Sequence, residues 1–172
     1  MLQLGSIFGQ VFSLEGAAGI DPRLADSTGI ARRLVANQFL RRSGADYLIA
    51  DDLVREVAYR LLPRLERQVL HAAAASWLET SRPDGLAHEV VASHYREAAT
   101  IAAEFEPDSA ETVELRRLAV ARLVEAATTL AGTALPEALA HLRSAAELVN
   151  EEERPPLLQR MKDLAAGRTA NL

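Results

Sequence analysis

Apolar positions recur at helical spacing over most of this chain, and the recurrence is cut by a small number of capping and turn signals. The run Leu2–Phe8 predicts a short apolar helix ending near Gly9. Ser13, with Glu15 two residues on, predicts the cap and first turn of a second. Asp21-Pro22 sets an acidic cap before proline at the first helical position. The helix it opens is expected to reach about Asn37, with Leu24, Ile30, Leu34 and Val35 facing inward and Gly29 weakening its middle. Phe39-Leu40-Arg41-Arg42 and Tyr47-Leu48-Ile49-Ala50 then flank Ser43-Gly44-Ala45-Asp46. This predicts two short strands joined by a four-residue turn, with no third strand in view. Asp51-Asp52 caps the next helix, whose apolar residues Leu53, Val54, Val57, Ala58, Leu61 and Leu62 make a broad face.

From Pro63 onward every segment reads as helix. Residues 64–79 place Leu65, Val69, Ala73, Ser76 and Trp77 on one side, and Ser81-Arg82-Pro83-Asp84-Gly85 breaks the pattern as the candidate boundary. Residues 86–105 carry Ala87, Val91, His94, Ala98, Ile101 and Phe105 on one stripe. Asp108 and Glu111 have capping-box spacing at the head of a long helix that ends at Gly132. The helix over 135–149, with Pro136 in its first turn, turns Leu135, Ala138, Leu142, Ala145 and Val149 inward. A last helix follows Pro155-Pro156 and closes at Gly167. The fold class is therefore mainly α: a winged-helix-like N-terminal subdomain over 1–81 with one small β-hairpin, then antiparallel helical hairpins over 82–172.

Composition narrows the function classes. Of the residues, 49% are hydrophobic but only 5% aromatic, so the core must be built from Leu, Val and Ala, which suits close-packed helices. The absence of cysteine excludes disulfides, thiolate zinc sites and cysteine nucleophiles, and fits a cytoplasmic setting. No apolar run approaches a membrane span, and 1–12 has no basic region of the signal-peptide kind. The net charge of −5 is unevenly placed: nine basic against nine acidic residues up to Ser81, ten against fifteen beyond it. A dedicated nucleic-acid binder is usually basic, so DNA is an unfavoured partner.

Residues 132–148, Gly-Thr-Ala-Leu-Pro-Glu-Ala, then Leu142, then Ala145-Ala146-x-Leu148, look like the second helix of a tetratricopeptide unit, although a plain antiparallel helical bundle explains the same pattern. A second resemblance lies earlier. Leu53-Val54-Arg55-Glu56-Val57-Ala58-Tyr59, followed by Arg67, Leu70-His71 and Ala75-x-Trp77-Leu78, is similar to the stretch that follows the nucleotide-binding domain in bacterial STAND-type signalling ATPases. These include ATPase-linked adenylate/guanylate cyclases and large LuxR-type transcriptional activators. Gly5-Ser6-Ile7-Phe8-Gly9-x-Val11-Phe12 resembles the opening of the same region. The family's Phe and His positions are Ile49 and Asp51 here, and Asp51 keeps the capping role. The resemblance implies a non-catalytic regulatory and protein–protein interaction module whose partner is the nucleotide-binding domain of a parent or companion ATPase.

The candidate chemistry agrees with a non-enzyme. The single lysine, Lys162, has no glycine loop before it, so no phosphate-binding loop is present and no cofactor is expected. His88 and His94 stand six apart, on different faces of one helix, so neither metal site nor catalytic constellation is nominated. His141 is expected to pair with Glu137. Arg55, Glu56, Tyr59 and Arg60 are expected on a polar helix face, with Arg55 and Tyr59 facing the nucleotide-binding domain. Arg32, Arg33, Arg41 and Arg42 form the best basic cluster; the competing reading is a winged-helix transcriptional regulator touching DNA phosphates through them. Leu157, Leu158, Met161, Leu164 and Ala165 lie on the last helix. That helix is expected either to pack back on the long helix over 111–131 or to form a homodimer through Leu158 and Met161.

Overall fold

The computed structural model describes residues 1–81 and 88–167, and the chain divides into two compact units, Met1–Ser81 and Arg82–Leu172. The predicted break after Ser81 and the helix start at Leu86 lie outside the described residues. In the first unit the order is α1 (Leu2–Phe8), β1 (Val11–Phe12), α2 (Leu14–Ile20), α3 (Thr28–Ala36), β2 (Leu40–Ser43), β3 (Asp46–Ile49), α4 (Asp52–Arg60) and α5 (Arg64–Ser81). Three antiparallel strands in the order β1-β3-β2 give it a winged-helix-like arrangement.

A third strand is the first correction. Val11 and Phe12 pair with Leu48 and Tyr47, and Gln10 extends the seam because its carbonyl accepts from the Ile49 amide at 2.9 Å while its Nε2 donates to the Ile49 carbonyl at 2.7 Å. Two residues are too few to show alternation, so only the free edge of β3 makes them a strand. The hairpin turn is also tighter than expected. Ser43 and Asp46 are paired, which leaves Gly44 and Ala45 as the loop, and Gly44 takes φ +65°, a conformation open to glycine at little cost. The inner face of this sheet, Phe12, Leu40, Tyr47 and Ile49, is buried in one core with Leu4, Ile7, Ala31, Leu62 and Leu70.

The Asp21-Pro22 signal opens only a single 3-10 turn over Pro22–Leu24. Asp21 accepts from the Arg23 amide at 3.0 Å and from its guanidinium at 2.7–3.0 Å, bonds that hold its carboxyl below the usual carboxylate range. The helix restarts at Thr28, with Ala31 buried and Ile30 exposed rather than inward. Ser13 caps α2 by accepting from the Gly16 amide at 2.8 Å. Asp51 caps α4 by accepting from the Leu53 amide at 2.7 Å.

On α5 the buried positions are Gln68, Leu70, His71, Ala74, Ala75 and Leu78, not the predicted line through Leu65, Val69 and Ser76. Trp77 is half-buried, edge-on to Phe8 with ring centroids 6.0 Å apart, and its indole lies against Gly19. A Cβ at Gly19 would sit inside the indole, so helix α2 can approach α5 only because glycine stands there.

The second unit contains α6 (His88–Phe105), α7 (Ala110–Leu130), α8 (Leu135–Leu148) and α9 (Arg154–Ala165). Each helix packs on its sequence neighbour and α6 also meets α8, so short connections build antiparallel hairpins. The interfaces are lined by alanine: Ala92, Ala126, Ala127, Ala138, Ala145 and Ala146 are buried around Leu123 and Leu142. Small side chains let the helix axes come close. The cap of α7 is Ser109, which accepts from the Thr112 amide at 3.1 Å; the Asp108–Glu111 capping box does not form. Phe105 and Leu135, expected inward, are exposed. Leu157 and Leu164 of α9 are buried against α7 and α8, so this helix closes on its own unit.

Candidate interaction surface

Two groups of side chains stand out on the segment over 53–78, which carries the family resemblance. Tyr59 on α4 bonds through its hydroxyl to His71 Nε2 on α5 at 2.9 Å, with the rings 5.8 Å apart. The Arg67 guanidinium lies 4.9 Å from the Tyr59 ring centre, and its Nε donates to the Leu62 carbonyl at 3.0 Å. Tyr59, Arg67 and His71 therefore brace the corner between α4 and α5. Tyr59 is half-buried in this brace, so the expected polar face of α4 narrows to Arg55, Glu56 and Arg60. Arg60 pairs with Glu56 at 2.5 Å, and Arg55, about one-third exposed, lies 3.9 Å from Asp52.

The second group faces outward. The broad apolar face of α4 splits: Val54, Ala58 and Leu62 turn into the core, whereas Leu53, Val57 and Leu61 are 66%, 48% and 67% exposed. Ten residues span more than the half-cylinder a core can cover, so one edge must stay outside. Around the corner Leu65 and Val69 are likewise exposed, at 51% and 58%. Single exposed aliphatics are ordinary, but Leu53, Val57 and Leu61 line one open edge of α4 and its C-terminal cap at four-residue spacing, and Leu65 and Val69 line an open edge of α5. Apolar periodicity located these residues; it did not separate the covered edge from the open one.

The arginine cluster is less unified than its sequence suggests. Arg32 and Arg33 are exposed on α3, which packs beside β2. Arg41 and Arg42 are neighbours on a strand and so point to opposite faces. Arg42 stands opposite Tyr47, 5.7 Å from its ring centre, and Arg41 donates to the Ala50 carbonyl at 3.1 Å.

In the second unit Leu158 is 42% exposed, while Met161 is half-buried against the cluster around Leu164. His141 faces Glu89 at 3.7 Å rather than Glu137, joining α8 to α6, and His88 faces Glu125 at 3.6 Å, joining α6 to α7. His94 is buried on α6, and desolvation lowers its pKa to about 4. A cleft of ≈ 550 Å³ between α7 and α9 is floored by Val120, Val149 and Leu157. Its ionisable residues are Arg116, Arg117 and Glu153. Arg116 donates to the Pro107 carbonyl at 3.3 Å and Arg117 forks onto Glu114 at 2.7–2.8 Å. Among the described residues no group of three or more His, Asp or Glu side chains is placed to hold a metal ion. No described helix is long and apolar enough to cross a membrane.

Comparisons with protein-family models, with curated proteins and with solved structures return no match.

Proposed function

We propose that this chain is a non-catalytic coupling and protein–protein interaction module of a STAND-type signalling ATPase, of the cyclase or LuxR-type regulator kind. The observation that carries the reading is the exposed aliphatic line Leu53, Val57, Leu61, Leu65 and Val69. It lies on the segment whose sequence resembles the region after the nucleotide-binding domain. Leaving large aliphatic side chains in water forgoes about 1.5–3 kcal/mol each, so an organised row of them is best explained by a surface that covers it. The Tyr59–Arg67–His71 brace fits the same role, because it holds α4 and α5 at a set angle and so presents the row as one rigid element. ATP turnover or cyclisation belongs, on this reading, to other domains.

The test begins with the coding sequence around this chain, read for a P-loop domain. That domain, produced separately, should bind the chain with an affinity that differs between ATP and ADP. Arg55→Ala and Leu65→Glu/Val69→Glu should weaken binding while leaving the helical spectrum intact. Absence of binding in both nucleotide states would refute the reading. The competing DNA-binding reading is favoured by the exposed Arg32 and Arg33 on α3 of a winged-helix-like unit. It requires duplex binding that falls steeply with salt and weakens in Arg32→Ala/Arg33→Ala.

A further inference from the structure

The charges beside the exposed row on α4 form a pattern of their own. On a helical wheel the outward side of α4 carries Leu53 and Val57 at its centre, Leu61 on one flank and Glu56 and Arg60 on the other. Asp52 and Glu56 lie in its N-terminal half and Arg60 at its end. Side-chain exposures of 87%, 47% and 73% leave all three accessible. We propose that this face docks a second copy of the chain, with the two α4 helices antiparallel about an axis through Val57. The inference rests on reading the segment over 53–78 as an interaction element and names one partner of that element.

The antiparallel direction follows from the charges. With Val57 opposite Val57, Leu53 of each copy meets Leu61 of the other, and the row becomes self-complementary. Glu56 of one copy then lies about 3 Å along the axis from Arg60 of the other, within reach of both side chains. The acidic half of each helix faces the basic end of its mate. A parallel two-fold arrangement would place the Glu56 and Arg60 side chains of the two copies on opposite flanks of the seam, out of each other's reach, and would form neither attractive contact. A two-fold contact requires the same patch on both copies, and this patch satisfies that condition from its own residues. α4 is nine residues long, about 13 Å, so the contact is at the small end of interfaces even with Leu65 added. A dissociation constant of about 10–100 μM is expected.

Sedimentation equilibrium of the full chain over a concentration series tests this. Wild type should pass from monomer to dimer. Val57→Glu, which sets two carboxylates against each other on the axis, should be monomeric throughout with an unchanged helical spectrum. Glu56→Arg and Arg60→Glu should each weaken self-association, whereas an equimolar mixture of the two should form a heterodimer tighter than either homodimer. The double variant Glu56→Arg/Arg60→Glu, self-complementary again, should recover the dimer. A wild type that stays monomeric at the highest concentration overturns the inference. So does a dimer indifferent to Val57→Glu, or one dissociated instead by Leu158→Glu. A monomeric chain that still binds the nucleotide-binding domain sinks this inference alone and leaves the coupling function standing.

Discussion

Lowering the pH from about 7 to about 5 should cost the second unit about 2 kcal/mol through one side chain, His94. The residue sits on α6 within a row of buried neighbours, Val91, Tyr95 and Ala98, and desolvation holds its pKa at about 4 against an ordinary 6.5. Well above pH 6.5 the imidazole is neutral in both the folded and the unfolded chain, and it adds no pH dependence. Between 6.5 and 4 the unfolded chain takes up a proton that the folded chain refuses, so stability falls as the pH falls. Below about 4 both states are protonated and the loss levels off near 3 kcal/mol, at about 1.4 kcal/mol per pKa unit. The assay is a set of urea melts in pH steps, followed by far-UV ellipticity, on wild type and His94→Gln. Glutamine keeps a polar side chain at the site and does not titrate. His88 and His141 are unchanged in the variant, so their pairs with Glu125 and Glu89 cancel in the comparison. Parallel pH curves for the two proteins would refute the reasoning, as would an imidazole NMR titration of His94 centred near 6.5.

The remaining predictions concern packing and ligands. Gly19→Ala should destabilise the first unit by about 1–3 kcal/mol, because its methyl would occupy the space of the Trp77 indole. Gly29→Ala, where nothing lies within 4 Å, should instead stabilise by about 0.5–1 kcal/mol through helix propensity; chemical denaturation of both variants checks the opposite signs. Leu142→Ala should cost about 2–5 kcal/mol, since this leucine is 1% exposed among alanines that cannot collapse into the vacated space. ATP with magnesium should leave the melting temperature where it is, and a clear rise would reveal a nucleotide site.

Local signals in the sequence placed most of the helices and many of their ends. Ser13 and Asp51 cap where their side chains can reach an amide two or three residues on, and Gly44 turns where the chain must reverse. Such features depend on a handful of consecutive residues, so they are legible without a fold. Asp21-Pro22 has the same local logic and does form a capped turn. How far the helix then runs was decided elsewhere, by the placement of Ala31, Leu34 and Val35 against the core.

Only the tertiary structure settled the questions whose answers involve distant residues. Val11 and Phe12 are a strand because β3, about 35 residues further along the chain, offers them an open edge. Tyr59 lies in a brace rather than on an open polar face because the α4–α5 corner brings His71 and Arg67 to it. His141 meets Glu89 and not Glu137 because α8 packs beside α6. The choice of Leu53, Val57 and Leu61 as the open edge of α4 has the same origin. Helical periodicity determines which residues share a face, but the volume available against α1 and the sheet determines which part of that face is covered.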